Sequence, residues 1–183
     1  MIELTQKFGD LFEEIKSVGR DADNWVVVPH VCNDVGAFGA GFAGRLASEW
    51  PKAKYSYMKS MNGLSYKDRL GLTQLVQIMP YLHVANMVAQ RGLRSKDNPI
   101  PLRMSHLTFC MKEVHNWILR EKFYYGNEHR VERAKTRDRN LNIEIHCPTF
   151  GSGLAGGNWE FIKTLIEEIW CDNDIKVVVY NNR

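Results

Sequence analysis

The sequence predicts a three-layer α/β/α fold around a mixed, mostly parallel sheet of about six strands. Short β-branched apolar runs alternate along the chain with segments of helical periodicity, which is typical of a sheet with helices on both faces. A strand at the start and a pair of strands with a short connector make the expected sheet mixed. With 183 residues, 44% of them hydrophobic and 25% charged, the chain suits one globular domain over residues 1–183.

Each element follows from its local pattern. Strands are expected where apolar or alternating runs lie between turn residues, at 1–6, 25–32, 72–79, 82–89, 142–147 and 176–180. Helices are expected where apolar residues recur every three or four positions or a run stops at a breaker, at 42–50, 52–61, 102–120 and 158–170. The run WVVVPHVC at 25–32 is apolar throughout, which predicts a central strand buried on both faces.

A basic insertion is expected at about residues 121–140. The stretch from Arg120 to Arg139 holds seven Lys/Arg and four Asp/Glu, so it carries the whole net charge of +3. It lacks the apolar periodicity of a core element, and we expect a solvated segment that folding does not require. Because aromatic residues occupy 123–125, contact with nucleic acid through residues 120–139 is an alternative.

Composition and cysteine spacing exclude several classes of protein. The chain is too apolar for a disordered segment, and no apolar run approaches the ~20 residues of a membrane-spanning helix. No signal peptide is visible at the start of the chain. The four cysteines form no CxxC pair, so we expect buried free thiols and a cytoplasmic location, and no membrane contact.

The candidate site lies in two glycine-rich loops, residues 33–44 (NDVGAFGAGFAG) and 151–157 (GSGLAGG). Each follows an apolar strand and opens a helix, whose first N–H groups attract anions. Glycine allows a positive φ and a close approach of backbone to ligand, and we expect Gly153 to need both. Two such loops at equivalent places predict a site that holds a diphosphate from both sides. The alternative is two tight turns without a ligand.

A match to GxGxxG at 39–44 raises the Rossmann dinucleotide site as an alternative. Its context argues against that interpretation. Six residues separate Cys32 from Gly39, whereas the fingerprint begins directly at the strand end. No Asp or Glu lies between Glu49 and Asp68, where a residue for the ribose is required.

The residues His30-Val-Cys-Asn-Asp and the glycines after them resemble the first ADP-ribose loop of macro domains. The stretch at 151–159 is similar to the second loop of that family, and 86–90 (NMVAQ) is similar to short microbial and phage members. The resemblance spans nearly the whole chain. It implies the macro domain fold, ADP-ribose or a derivative as the partner, and no cofactor.

The resemblance also implies a set of ligand contacts. Asp10 falls where the family accepts a hydrogen bond from the adenine amino group, although it also suits a helix N-cap. Asn33 falls beside the terminal ribose, and Asn181 near the adenine. The complete set is Asp10, Asn33, Gly39, Ala40, Gly41, Gly151, Ser152, Gly153, Leu154, Ala155, Gly156 and Asn181.

The family includes binding modules and hydrolases, and local chemistry must distinguish them. One branch removes ADP-ribose from proteins or nucleic acids with a Lys and an Asp. Here Ala155 stands at the Asp position, and no Lys occurs in 86–94. Because the sequence departs from this branch at both positions, the Lys/Asp mechanism is in doubt here.

The His-x-Cys-Asn motif instead resembles yeast-type phosphatases that hydrolyse ADP-ribose 1″-phosphate to ADP-ribose and phosphate. This favours a hydrolase in which His30, with a near-neutral pKa, is the general acid or base and Asp34 orients water. A packed histidine, an Asx turn and a non-catalytic ADP-ribose binding module are the alternatives. The other five histidines show no metal-ligand spacing, so no metal site is expected.

Overall fold

The computed structural model describes residues 2–132 and 141–181. Its strands are β1 (Thr5–Phe8), β2 (Asn24–Asn33), β3 (Thr73–Met79), β4 (Leu82–Gln90), β5 (Asn142–Pro148) and β6 (Val177–Asn181). Its helices are α1 (Leu11–Ser17), α2 (Gly41–Glu49), α3 (Pro51–Gly63), α4 (Met104–Glu132) and α5 (Trp159–Ile169).

The strands form one six-stranded sheet in the order β1-β6-β5-β2-β4-β3. All neighbours are parallel except β3 and β4, which are antiparallel and joined by the short turn at 80–81. The expected mixed, mostly parallel sheet is therefore confirmed. The β2 strand lies in the middle and is buried over most of its length, as its apolar sequence predicts.

Helices cover both faces of the sheet and create two cores. The α1, α2 and α3 helices pack on one face, and α4 and α5 pack on the other. Alternate residues of the central strand face opposite cores, so Val26 and Val28 face the first core and Val27 faces the second. This arrangement confirms the three-layer α/β/α class.

Two helices differ from the sequence expectation. The α1 helix was not assigned, although Asp10 caps it and Leu11, Phe12 and Ile15 bury one face. The α4 helix continues to Glu132, past its expected end at residue 120 and through the first part of the expected basic insertion. Residues 121–132 contain no proline to end the helix. The rest of the predicted insertion, residues 133–140, lies outside the described residues.

All four cysteines are buried and free, as expected. Burial raises the pKa of the Cys110 and Cys171 thiols to about 11, so both are protonated and unreactive at neutral pH. No helix in the described part of the chain is long and apolar enough to cross a membrane.

Parallel pairing determines where the candidate site lies. The carboxyl ends of β1, β6, β5, β2 and β4 all meet at one edge of the sheet. Because β2 and β5 are neighbours, the two glycine loops that follow them are adjacent at that edge. In open α/β sheets this edge is where ligands bind.

Candidate ligand-binding site

A cavity of about 740 Å³ opens at the carboxyl edge of the parallel strands. The structure brings ten of the predicted site residues to its wall: Asp10, His30, Asn33, Gly39, Ala40, Gly41, Gly151, Gly153, Leu154 and Ala155. Four others, Asp34, Ser152, Gly156 and Asn181, do not line it. Both glycine loops therefore converge on one cavity, as the sequence predicts.

The two glycine loops approach each other closely at Leu154 and Gly41. Gly41 has a φ of +55°, and a Cβ added there would lie 3.4 Å from the Leu154 Cδ1. Gly44 also lies very close to the first part of this loop: a Cβ on Gly44 would lie 2.7 Å from the Gly39 carbonyl oxygen. These close approaches explain why glycine recurs in the first loop.

In the second loop, Gly151 and Gly156 are the positions whose backbone conformation requires glycine. Their φ values are +77° and +71°, and a Cβ on Gly156 would lie 2.9 Å from the Pro99 carbonyl oxygen. Gly153 has no positive φ, and a Cβ there would meet no atom within 4 Å. The expectation that Gly153 needs a special backbone angle is therefore wrong, although its exposure leaves room for a close ligand.

Asn33 lines the cavity, but its amide also organises the first loop. Its Oδ1 accepts from the backbone N–H groups of Val35 (3.1 Å) and Ala37 (3.0 Å), and its Nδ2 donates to the Ala37 carbonyl (2.6 Å). The pairing of β2 with β4 shifts register after Cys32, where it skips Ala89 of β4, and the Tyr57 hydroxyl donates to the Asn33 Oδ1 at 3.1 Å. Asn33 and its neighbour Cys32 both line the cavity at this strand end.

Asp10 lines the opposite part of the cavity and has two partners of its own. One carboxylate oxygen accepts from the Phe12 N–H at 2.9 Å and caps α1, and the other pairs with Arg45. Partial burial raises the pKa of Asp10, but the hydrogen bonds from Arg45 and the helix N–H groups outweigh it and lower the pKa. Arg45 also lies over the Phe12 ring, 4.7 Å from its centroid.

His30 is almost fully buried at the cavity wall, and its Nε2 lies 2.6 Å from the Asn86 Oδ1. The Asn86 Nδ2 donates to the Ala53 carbonyl, so Oδ1 must accept and the His30 Nε2 must carry the proton. Burial lowers the pKa of His30 to about 4. The expected near-neutral pKa is therefore wrong: the histidine is neutral at pH 7, with Nε2–H committed to Asn86.

Asp34 is completely buried and lies behind the cavity wall. Its Oδ1 accepts from the Gly92 N–H at 2.7 Å, and its own carbonyl accepts from Arg69. Its Oδ2 has no hydrogen-bond partner among the described residues. The side chain thus connects the first glycine loop to the loop after β4.

Asn181 was expected near the adenine, but its neighbour Tyr180 lines the cavity instead. Asn181 bonds to Gln6 at the sheet edge. The Tyr180 hydroxyl lies 2.8 Å from the His146 Nδ1, and the two rings stack on each other. The Nε2 of His146 contacts the Glu144 carboxylate. This chain of contacts fixes the Tyr180 ring in the cavity wall.

Two further expectations concern metal and nucleic acid. Within residues 2–132 and 141–181, no three His, Cys, Asp or Glu side chains come together in a way that could hold a metal ion. Most of the basic stretch at 120–139 lies outside the side chains that the structure describes. Contact with nucleic acid there stays a prediction.

Neither a protein-family model nor a curated protein matches the sequence, but solved structures do. A Bacteroides thetaiotaomicron protein of unknown function is 27% identical, with a TM-score of 0.76 over 98% of both chains. A macrodomain protein from Streptomyces coelicolor is also 27% identical, with a TM-score of 0.66 over 97% of this chain and 98% of its own. The chain has the macrodomain fold.

A more distant macrodomain-fold neighbour is Thermosipho africanus DarTG in complex with ADP-ribose. It is 14% identical with a TM-score of 0.56, over 85% of this chain and 37% of its own. At this identity the likeness concerns the fold alone.

Sequence reasoning missed several residues that line the cavity of this macrodomain fold: Phe12, Phe42, Arg45, Leu93, Arg94 and Tyr180. Two signals could have found some of them. Phe12 and Arg45 closely follow the predicted contacts Asp10 and Gly41. The residues between the expected strand at 82–89 and the expected helix at 102–120 follow a parallel strand, so they belong at the same edge as the glycine loops.

Proposed function

We propose that this protein binds ADP-ribose in the cavity at the carboxyl edge of the sheet. The observation that carries the proposal is the convergence of two glycine loops on one cavity, where Leu154 approaches Gly41 at the start of a helix. Exposed backbone N–H groups in such loops suit a diphosphate. The resemblance to macro domains and the ADP-ribose complex of the Thermosipho africanus neighbour support the same ligand.

The size of the cavity supports a ligand of this length. Its volume of about 740 Å³ falls within the ~300–1,000 Å³ range of small-molecule sites. From β1 to β4 the sheet order gives four strand spacings, or about 19 Å at about 4.8 Å each. Asp10, after β1, then receives the adenine end, and the loop after β4 receives the terminal ribose.

In this proposal, some of the remaining predicted residues bind the ligand and others hold the loops and strands that surround it. Gly39, Ala40, Gly41 and the second-loop residues Gly151, Gly153, Leu154 and Ala155 surround the diphosphate. Ser152 and Gly156 hold the second loop, since the Ser152 hydroxyl donates to the Thr149 carbonyl at 2.9 Å and Gly156 packs on Pro99. Asn181 keeps β6 beside β1 at the adenine end.

Calorimetric titration with ADP-ribose, ADP and NAD tests the proposal. We expect the protein to bind ADP-ribose, and Gly153→Val to weaken binding at an unchanged melting temperature because its Cβ meets only the ligand space. Gly63→Val is the matched control, because a Cβ at Gly63 also meets no atom within 4 Å and Gly63 does not line the cavity. Binding of NAD without binding of ADP-ribose would reverse the proposal in favour of a dinucleotide site.

Hydrolysis of ADP-ribose 1″-phosphate is the second candidate, because His30 of the His-x-Cys-Asn motif lines the cavity. Its proton is held at Nε2 by Asn86, so only Nδ1 is available as a base. Asp34 is buried away from the cavity and bonded to Gly92, which favours a structural role over water activation. These contacts support binding more strongly than catalysis.

Phosphate release from ADP-ribose 1″-phosphate tests this second candidate, with a mono-ADP-ribosylated protein as the alternative substrate. If His30 transfers a proton, His30→Gln lowers kcat by ~10²–10⁴-fold and leaves ADP-ribose affinity nearly unchanged. Full activity of His30→Gln would remove His30 from the mechanism. No turnover of either substrate by the wild type would leave a binding module.

A further inference from the structure

Tyr57 of α3 joins the first glycine loop to the helix layer, although it does not itself line the cavity. Its side chain is almost fully buried, and its hydroxyl hydrogen is shared between the Asn33 carbonyl oxygen, 2.6 Å away, and the Asn33 Oδ1, 3.1 Å away. Burial raises the pKa of Tyr57 above its ordinary value, so the hydroxyl stays a donor at neutral pH. The ring also packs on Phe38, with the ring centroids 5.2 Å apart. Tyr57 thus contacts two residues of the loop, Asn33 and Phe38.

The partners of Asn33 leave one group of its amide available to a ligand. The backbone N–H groups of Val35 and Ala37 can only donate, so Oδ1 is the atom that faces them. With the Tyr57 hydroxyl as a third donor, Oδ1 has no lone pair left for a ligand. One Nδ2 hydrogen is bonded to the Ala37 carbonyl, and the other has no partner within residues 2–132 and 141–181. Asn33 can therefore only donate to a ligand, and its partner must be an acceptor such as a ribose or phosphate oxygen.

The α3 helix is tied to the sheet on both sides of Tyr57. One turn earlier, the Ala53 carbonyl accepts from the Asn86 Nδ2 at 3.1 Å. The Ser56 carbonyl accepts from the Gln74 Nε2, also at 3.1 Å. The Tyr57 hydroxyl therefore acts on the loop from a fixed position. A loop that is held in its binding shape loses little freedom when the ligand arrives, which lowers the ordering cost of binding.

We propose that Tyr57 is a positioning residue for ligand binding, an inference that deepens the proposed function and rests on it. Its hydroxyl holds Asn33, so that the first glycine loop keeps the shape that receives ADP-ribose and the second Nδ2 hydrogen is offered to a ligand oxygen. Without the hydroxyl, the Asn33 carbonyl and Oδ1 each lose a donor, whereas the packing of the ring on Phe38 is kept. The loop then has to be ordered by the ligand, and affinity falls although no group that contacts the ligand has been removed.

Calorimetric titration of Tyr57→Phe with ADP-ribose tests the assignment. Loss of this hydrogen bond should weaken binding about three- to tenfold, measured well below the unfolding temperature of the variant. Tyr55→Phe is the matched control, because it removes an exposed hydroxyl two residues away on the same helix and outside the cavity wall. Equal affinity of the wild type and Tyr57→Phe would overturn the assignment, and so would an equal loss in Tyr55→Phe.

Amide hydrogen exchange distinguishes positioning from a general loss of stability. In Tyr57→Phe the amide hydrogens of Val35 and Ala37 should exchange faster than in the wild type, and excess ADP-ribose should restore their protection. The amides of α5, which packs on the other face of the sheet, should keep their wild-type rates. Faster exchange in both regions would make Tyr57 a structural residue only and overturn its positioning role.

Side-chain NMR tests the group that Asn33 offers. In the wild type, ADP-ribose should shift one of the two Asn33 Nδ2 proton resonances more than the other, because the other stays bonded to the Ala37 carbonyl. Two unshifted resonances in the saturated protein would overturn the donor assignment. A wild type that does not bind ADP-ribose would refute the proposed function itself, whereas tight binding that Tyr57→Phe leaves unchanged refutes only the role of Tyr57.

Discussion

Asn33 and Asp34, the two polar residues at the end of β2, use their side chains to hold backbone rather than to project freely into the cavity. Asn33 closes the turn from Val35 to Ala37, and Asp34 accepts the Gly92 N–H. The resemblance to macro domains implies a ribose contact for Asn33 and favours water orientation for Asp34. Short Asn and Asp side chains also bond readily to nearby backbone groups, which suits them to loop closure.

Substitution of Asp34 separates a structural from a catalytic role. Asp34→Ala should lower the free energy of unfolding by about 1–3 kcal/mol, because it leaves the Gly92 N–H without its partner. Asp34→Asn should be near neutral or stabilising, since its oxygen still accepts that N–H and the uncharged amide suits the unpartnered position of Oδ2. Urea unfolding of both variants measures this. Equal destabilisation by both would show that the charge itself is required.

At the scale of elements, the start of α2 forms part of the cavity wall. Gly44 lies in the first turns of this helix, and the Gly39 carbonyl of the preceding loop rests where a side chain would begin. The match to GxGxxG at 39–44 is therefore explained by packing between a loop and its helix. No dinucleotide is needed to account for it.

Gly44→Ala tests this packing. The added methyl would lie 2.7 Å from the Gly39 carbonyl oxygen, so the loop must shift and ADP-ribose affinity should fall several-fold. Gly63→Ala is the control, because its Cβ meets no atom within 4 Å and its helix end is away from the cavity. Titration and thermal unfolding of both variants give the comparison. Unchanged affinity in Gly44→Ala would show that the first loop does not position the ligand.

At the scale of the whole molecule, buried histidines make stability depend on pH. Burial lowers the pKa of His30 to about 4, and the pKa of His83, which lies between Trp25 and Trp117, to about 4 as well. An unfolded histidine titrates near 6.5. Between these values the unfolded chain binds more protons than the folded one, so stability is full above about pH 6.5 and falls as the pH drops towards 4.

We therefore expect each of these histidines to cost on the order of 2 kcal/mol of stability between pH 7 and pH 5. Urea unfolding at the two pH values measures the total. His83→Phe keeps the aromatic stack and removes the buried Nδ1, which has no partner among the described residues. This variant should lose about 2 kcal/mol less stability between pH 7 and pH 5 than the wild type. A variant with the same pH dependence as the wild type would contradict the assignment to His83.

The sequence by itself determined the three-layer class, the order of most strands and helices, and the presence of two glycine loops at equivalent strand ends. Alternation of apolar residues and the placement of glycine are local properties, and they persist in the fold because buried strands and tight turns need them. Helix α1 and the part of α4 after residue 120 were missed, since their sequence patterns are short or polar.

Only the tertiary structure decided the chemistry of the candidate site. The protonation of His30 depends on its burial and on Asn86, which lies 56 residues away on the next strand. The partners of the two arginines at the cavity also lie in distant segments: Arg45 pairs with Asp10, and Arg94 reaches Gly153 across 59 residues of sequence. Burial, pairing and proximity are relations between distant segments, and no local pattern specifies them.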